Sequence, residues 1–594
     1  MSDTQFGASF RPGTGTEFRL WAPDHNRVEL LLLPPGGNSW RMAMHPQQAG
    51  FFALTVADAA PGWRYQYIVD GEGPFPDPAS RRQADDVHDP SEIVDSAFAW
   101  SDQEWCGPVW SSAVIYELHV GTFTPEGTFL GVMSRLDYLC DLGVTAIELM
   151  PIADFPGRRN WGYDGTFLFA PDSSYGRPED LKCLIDACHR RGLGVILDVV
   201  YNHFGPDGNY LWPISRRFFN TKKRTPWGAG INIADPIVSA FFNENARFWI
   251  DEYHFDGLRF DAVQALESSQ RSSFLAGVRK AARSAAPDRA LFLVLENPAN
   301  QAELLRDSGD GAFDAQWNDD FHHALHRLIT GESHGIFQDY PAPEASLERI
   351  LRQGFDHQGG YSHWRKQNIG TPTDGINLDR FVNYIQSHDM VGNRPLGKRL
   401  HQLVDREMFE AAVALYLFLP GIPMVFMGEE FCAAAPFLFF TDHKPELGDK
   451  IRKGRLDQHQ CNPGWREKTA WDRIPHPQEA STFQRSKIDW EDAGRNADVV
   501  DLYKQLIALR AQTIARLDRR QESFSVARDG RLFTLVLRDH RGQDLIACVA
   551  NFGTEAQAVP DRLRADQWRV IFTTHSCAGE QVASCSTQWL KRLD

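Results

Sequence analysis

Over the first 95 residues, apolar and polar positions alternate in short runs at 17–22, 27–32, 50–56 and 64–69, separated by clusters of Pro and Gly. A two-residue period bounded by turn-forming residues predicts half-buried strands, and this spacing predicts a small antiparallel sandwich over 1–95. A turn-rich acidic stretch begins at 77, and 96–112 is expected to serve as a linker. From residue 113 the pattern changes. Continuous apolar runs at 114–120, 146–150, 194–200, 257–261, 291–295, 313–317, 381–387 and 423–427 alternate with segments of helical period. Those segments fall at 130–142, 178–191, 239–253, 272–285, 321–330, 406–419 and 499–511. Buried strands alternating with amphipathic helices predict a parallel sheet with crossover helices. Eight strand–helix units predict an α/β chain built on a (β/α)₈ TIM barrel over 113–519, with long inserted loops at 202–235 and 428–489. Alternating runs return at 524–527, 532–538, 545–551 and 568–573, which predicts a C-terminal antiparallel β-domain over 520–594. No repeat is visible at solenoid or propeller period.

The chain has 594 residues, with 62 Lys and Arg against 78 Asp and Glu, a formal charge of −16. That sign opposes approach to phosphate backbones or anionic lipid, so no nucleic-acid or membrane partner is expected. Lys222, Lys223 and Arg224 form a basic cluster too short to change this, and they are expected in a solvated loop. The longest apolar runs, such as 411–419, fall well short of the ~20 residues that cross a bilayer. The start, Met1-Ser2-Asp3-Thr4, has neither the basic nor the apolar region of a secretory signal. Nine cysteines, an odd number with no CxxC pair, suit a reducing cytoplasm and imply neither a disulfide framework nor a zinc site.

In such a barrel, reacting groups gather where the strands end at the C-terminal face, because only those loops converge on one cleft. The third strand, GVILDVVYNH, carries Asp198 inside it, with Asn202 and His203 just past its end. The fourth, FDGLRFDAV, sets Arg259 and Asp261 on one side by the two-residue period. The fifth, LFLVLEN, ends in Glu296, and the seventh, FVNYIQSHDMVGN, ends in His388 and Asp389. Any one acid after a strand is commonly a helix cap or an ion-pair partner. The set would bring three carboxylates, an Arg and two His to one place. Two carboxyls about 5 to 5.5 Å apart are what a retaining glycosidase needs, one to attack the anomeric carbon and one to protonate the leaving oxygen. Arg259 would keep Asp261 ionised, and Glu296 would need a raised pKa.

These motifs, DVVYNH, GLRFDA, the Glu of LVLEN and the HD of QSHDMVGN, resemble the four signature regions of the α-amylase superfamily of retaining glycoside hydrolases, in the same order. The resemblance implies that Asp261 is the nucleophile, Glu296 the general acid/base and Asp389 the transition-state stabiliser. It places Arg259, His203 and His388 around the sugar at the cleavage site, and it makes Tyr163, in WGYDG, the aromatic stacked on that sugar. Plain loop packing is the other reading of Tyr163. Three longer stretches are similar to one branch, the maltooligosyltrehalose trehalohydrolases: 161–211, QWNDDFHHALHRLITGE and NYIQSHDMVGNRPLGKRLHQL. The N-terminal module likewise resembles the early-set sandwich that precedes the barrel there and in glycogen branching and debranching enzymes.

This resemblance implies hydrolysis of the α-1,4 bond next to the trehalose unit of a trehalose-ended maltooligosaccharide. It also implies a pathway partner, the synthase that makes that end. Asp319 and Asp320 then bind hydroxyls of the trehalose, or else cap the helix that follows; both readings stand. Asn297 and Pro298 occupy positions where the family often carries an acid and a His. Asp207 and Asp235 are too few oxygen ligands for calcium, so no metal and no cofactor are expected. A branching or debranching enzyme with the same acids is the alternative activity, and a catalytically silent α-glucan-binding protein is the alternative class.

Overall fold

The computed structural model describes residues 6–593, apart from 226, 267, 307–310, 540, 564 and 577–579. Eight parallel strands close into a barrel: β1 Ile115–Leu118, β2 Ala146–Leu149, β3 Gly194–Val199, β4 Gly257–Phe260, β5 Phe292–Leu295, β6 Ala315–Trp317, β7 Phe381–Asn383 and β8 Ile422–Phe426. β8 pairs back to β1 through Met424 opposite Ile115. Closure leaves no unpaired edge, so every strand can be buried on both faces.

The two-residue period divides each strand between two cores. Leu258 and Phe260 of β4 face the outer ring, where Phe260 packs edge-on against Tyr201 and Phe313. Ile115, Ala146, Ile196, Val294, Ala315, Val382 and Met424 form a separate inner cluster. The same inward parity, continued toward the strand ends, sets Glu117, Glu148, Asp198, Arg259 and Glu296 above that apolar floor. Charged residues at inward positions of a barrel therefore collect in one layer, beneath the loops of the C-terminal face.

Where the elements differ from expectation, the causes are local. β1 stops at Leu118 because Val120–Phe123 turns into a helix, and β7 keeps only three paired residues, Phe381–Asn383. The expected helix 130–142 is two, Phe129–Met133 and Leu136–Leu142, parted at Ser134 and Arg135. Among the described residues, β5 is followed only by the 3-10 turn Ala302–Leu305, in keeping with the lack of a helical pattern between the fifth and sixth apolar runs. Lys222, Lys223 and Arg224 lie on a hairpin, Phe219–Thr225 with Gly228–Ile231, rather than in a loop. Asp235 caps the helix Pro236–Asp251, accepting from the Ile237 amide at 2.9 Å, and Asp207 pairs with His88 at 3.1 Å.

At the N-terminus a four-stranded sheet (Gly7–Arg11, Gly15–Trp21, Phe51–Val56, His45–Pro46) packs on a second one built around Val28–Leu33 and Arg64–Val69. Phe18, Leu20, Leu30, Phe52, Tyr65 and Tyr67 fill the space between them. The segment 96–112 is strapped to the barrel: Asp102 accepts from His189 and His254, both at 2.8 Å, and Trp100 stacks on His254 at 3.9 Å. At the other end Phe524–Asp529, Leu532–Arg538, Asp544–Asn551, Ser586–Arg592 and Trp568–Thr573 form one sheet. It docks on the helix Arg406–Phe418, where Trp589 Nε1 donates to the Ala414 carbonyl at 3.0 Å. Among the described residues no helix is long and apolar enough to cross a membrane. Eight cysteines are free thiols, and Cys577 lies outside the described residues.

Candidate active site

Arg259 is the centre of the polar layer. Its side chain is fully buried, and Nη1 donates to Asp198 Oδ1 and Oδ2 at 2.9 and 2.8 Å and to Asp261 Oδ1 at 2.9 Å. Nη2 lies 3.3 Å from Glu296 Oε2, and the guanidinium stands 4.2 Å from the centre of the Trp317 ring. One side chain thus contacts carboxylates from β3, from the end of β4 and from the end of β5. A buried guanidinium among carboxylates stays charged, since each partner offsets part of its desolvation.

Asp261 follows β4 directly. Its Oδ2 accepts from Asn202 Nδ2 at 2.8 Å, and the same amide reaches the Asp261 carbonyl at 2.9 Å. Ala262, the next residue, is held left-handed at φ 41°, a costly conformation for a residue with a Cβ. That conformation aims the Ala262 amide at Glu296 Oε2, 2.7 Å away. Burial pushes the Glu296 carboxyl well above its usual range; Arg259 opposes the shift, and Asp261, Asp319 and Asp389 add to it. Asp261 and Glu296 are 13% and 14% exposed, so both border solvent-accessible space.

His388 and Asp389 begin a short helix after β7. His388 Nδ1 donates to Glu117 Oε1 at 2.5 Å and its Nε2 lies 2.8 Å from Tyr163 Oη, while Tyr163 Oη donates to Asp198 Oδ2 at 2.7 Å. Burial works against charge on His388, but the carboxylates of Glu117 and Asp389 outweigh it and hold the imidazole at about 9. His388 is then a cation at neutral pH, donating from both nitrogens. Burial, partly offset by Arg259, brings Asp198 to about 6. Asp389 is the most open acid, 39% exposed, with Oδ1 3.6 Å from His388 Nε2.

Tyr163 is part of this network rather than loose loop packing, and its ring stacks on His388 at 5.2 Å. His203 Nε2 donates to the Tyr163 carbonyl at 2.7 Å, and the His203 ring lies 3.8 Å beneath Trp227, an exposed indole of the 219–231 hairpin. The structure therefore brings Tyr163, His203, Arg259, Asp261, Glu296, His388 and Asp389 together at the C-terminal face of the barrel.

Asp319 and Asp320 part company. Neither caps the helix Asp319–Thr330; Asn318 does, accepting from the Phe321 amide at 3.3 Å. Asp319 faces the acids, takes a 2.5 Å hydrogen bond from Tyr384, and is raised by burial to about 6. Asp320 is buried, and its oxygens accept from Tyr340 Oη, Asn300 Nδ2 and the amides of Asp356 and His357 at 2.7 to 3.1 Å. These donors engage it as an internal acceptor, Oδ1 through Tyr340 and Oδ2 through the other three. Sequence reasoning left out Glu117 and Trp317. The available signal for Glu117 was parity, an acid in the apolar run IYEL at the same inward position as Asp198.

A family profile described as the alpha amylase catalytic domain matches residues 92–225, and carbohydrate-binding module 48 (isoamylase N-terminal domain) matches 5–90. A malto-oligosyltrehalose trehalohydrolase of Deinococcus radiodurans is 38% identical over 566 residues, 94% of this chain and 91% of the relative. The enzyme of that name from Saccharolobus solfataricus is 40% identical over 504 residues, 84% of this chain and 85% of its own length. A crystal structure from Salmonella typhimurium, assigned as an alpha amylase, superposes with a TM-score of 0.92 at 37% identity, covering 99% of this chain and all of that one. With identity of this order sustained across both flanking modules and the barrel, this chain belongs to the malto-oligosyltrehalose trehalohydrolase family, within the α-amylase superfamily.

Proposed function

We propose that this chain is a retaining glycoside hydrolase that cleaves the α-1,4-glucosidic bond next to the terminal trehalose of maltooligosyltrehalose, releasing trehalose and a maltooligosaccharide. The observation that carries the reading is the single guanidinium of Arg259 in contact with both Asp261 and Glu296. Asp261, oriented by Arg259 and Asn202, attacks the anomeric carbon. Glu296, kept protonated by its burial, gives its proton to the departing O4 of trehalose as the C1–O4 bond breaks. With Oε2 facing Ala262 and Arg259, the proton sits on Oε1. The maltooligosyl group is then esterified to Asp261. The ionised Glu296 takes a proton from water, whose oxygen attacks C1 and frees Asp261.

Asp389 stabilises the positive charge that develops at the sugar ring, and the cationic His388 binds a sugar hydroxyl beside it. Tyr163 stacks on the sugar at the cleavage point, with His203 and Arg259 around it, and Asp319 binds hydroxyls of the leaving trehalose. Residues 1–95 and 520–594 are the flanking β-domains of a catalytic unit over 113–519. The unpatterned cysteines support a cytoplasmic setting, where the synthase that installs the trehalose end is the pathway partner. Incubation with maltotriosyltrehalose and with maltopentaose tests the activity. Trehalose from the first, with little maltose or glucose from the second, is expected. New α-1,6 linkages would mark a branching enzyme, and saturable binding without products a silent glucan-binding protein.

A further inference from the structure

Asp261 and Glu296 are held around Arg259 by neighbouring strands and the turns that follow them, through Asn202 after β3 and the Ala262 amide after β4. Asp389, the most exposed of the three acids, takes its partner from its own turn, and that partner is in turn gripped from elsewhere. Among the described residues, the side chain that hydrogen-bonds its carboxylate is Asn393, one turn further on, with Nδ2 2.9 Å from Oδ1. Asn393 in turn accepts through Oδ1 from Arg455 Nη1 at 2.6 Å. Arg455 lies on the helix Pro445–His459, in the segment inserted after β8. Its other nitrogen, Nη2, donates to the Gly392 carbonyl at 2.9 Å, and its guanidinium stacks 4.4 Å from the Phe439 ring.

The polarity of this chain leaves one arrangement. A guanidinium has no acceptor and an ionised carboxylate no donor, so the Asn393 amide must turn its oxygen to Arg455 and its NH₂ to Asp389. The turn that carries them has little freedom to shift: a Cβ on Gly392 would come within 2.1 Å of the Trp161 ring, and Trp161 packs edge-on against His388. On the far side Arg394 grips Glu332 through two hydrogen bonds of 2.9 and 2.6 Å. Burial lowers Arg455 to about 10, against the pull of Asp389, so it remains charged at neutral pH.

We propose that Arg455 is a positioning residue for Asp389, acting through Asn393, so that the segment inserted after the eighth strand completes the catalytic constellation. Arg455 grips both Asn393 and the Gly392 backbone, fixing the amide that orients the third carboxylate and passing positive polarity to it. The proposal rests on Asp389 being the transition-state stabiliser. A displacement of a stabilising charge by a fraction of an ångström acts on the rate more than on substrate binding.

The test uses the full-length enzyme with maltotriosyltrehalose, reading kcat, KM and melting temperature for Arg455→Met, Arg455→Lys, Asn393→Ala, the Met/Ala double variant and Asp389→Asn. Arg455→Met, which keeps the side-chain volume over Phe439, is expected to lower kcat by roughly 10- to 100-fold with KM within threefold. Arg455→Lys should recover part of that loss, because it restores a charged donor to Asn393. The double variant should be no slower than the worse single variant, since both break one chain of contacts. In an Asp389→Asn background, Arg455→Met should change nothing further. Normal kcat in Arg455→Met, fully additive losses in the double variant, or a further loss in the Asp389→Asn background would each overturn the proposal while leaving Asp389 in its role. Near-normal turnover in Asp389→Asn alone would instead remove the reading of Asp389, and this inference with it.

Discussion

The two sides of the cleft are built differently. On one side, Asp261 and Glu296 meet at Arg259, two residues before Asp261 on the same strand, and the fit is completed by Asn202 and the strained Ala262 beside them. On the other, His388 is charged by Glu117, 271 residues away in β1, and Asp389 is oriented from the helix Pro445–His459. The first side is a local product of strand parity in neighbouring strands. The second exists only because the barrel closes, bringing β1 beside β8 and so next to the loop that leaves β7. A carboxylate buried against an arginine needs little else to hold it, whereas one that stays 39% exposed must be positioned by hydrogen bonds.

The sharpest way to break this comparison is at the buried pair. Asp261→Asn and Glu296→Gln are each expected to reduce turnover by roughly 10⁴-fold or more while the chain stays folded, since each removes a reacting group and keeps the side-chain shape. Rates within tenfold of the parent in either variant, with an unchanged circular dichroism spectrum, would dissolve the assignment on that side.

The second side is sharpened by pH. His388 sits at about 9 in the fold, against roughly 6.5 for a free imidazole, so its contribution to stability is complete below about pH 6.5 and is lost as pH rises through about 9. The full effect is at most about 3 kcal/mol. Asp198 and Asp319, raised to about 6, lose stability in a lower window, as pH climbs from about 4 through 6. Other buried groups titrate across the same range, among them His323 and His401 lowered by burial to about 3 and Glu429 raised by it to about 8, so the His388 contribution is read as the difference in melting temperature between the parent and Glu117→Gln from pH 6 to 10. That difference should favour the parent near pH 7 and shrink as pH rises through about 9, and a difference independent of pH would contradict the Glu117–His388 assignment.

The smallest expected effect separates two neighbours. Asp320→Asn places an NH₂ among donors that need an acceptor, and should cost about 1–3 kcal/mol in urea unfolding with KM unchanged. Asp319→Asn should bring no such loss in urea unfolding and raise KM for the trehalose-ended substrate several-fold. If the two substitutions exchanged these effects, the reading of the helix Asp319–Thr330 would be inverted.

Much of this was legible before any coordinates. Apolar runs located all eight strands, and polar residues at their ends pointed to Asp261, Glu296, His388 and Asp389, because side-chain direction along a strand follows from counting residues. Counting failed where direction depends on something else. Asp319 and Asp320 are one position apart at a helix start, where no two-residue rule sorts them. Trp227 stacks on His203 only because a hairpin inserted after β3 folds back over the cleft. The break at Ser134 and Arg135 reflects packing that outweighs local propensity.

The order of strands, the inward parity of their charged residues and the chemistry those residues carry were determined by sequence alone, through short-range geometry that every chain obeys. Which acid reaches the substrate, which is consumed by internal hydrogen bonds, and which cation orients Asp389 were decided only by tertiary structure. Those outcomes depend on donors and acceptors tens to hundreds of residues apart, which meet only once the barrel has closed.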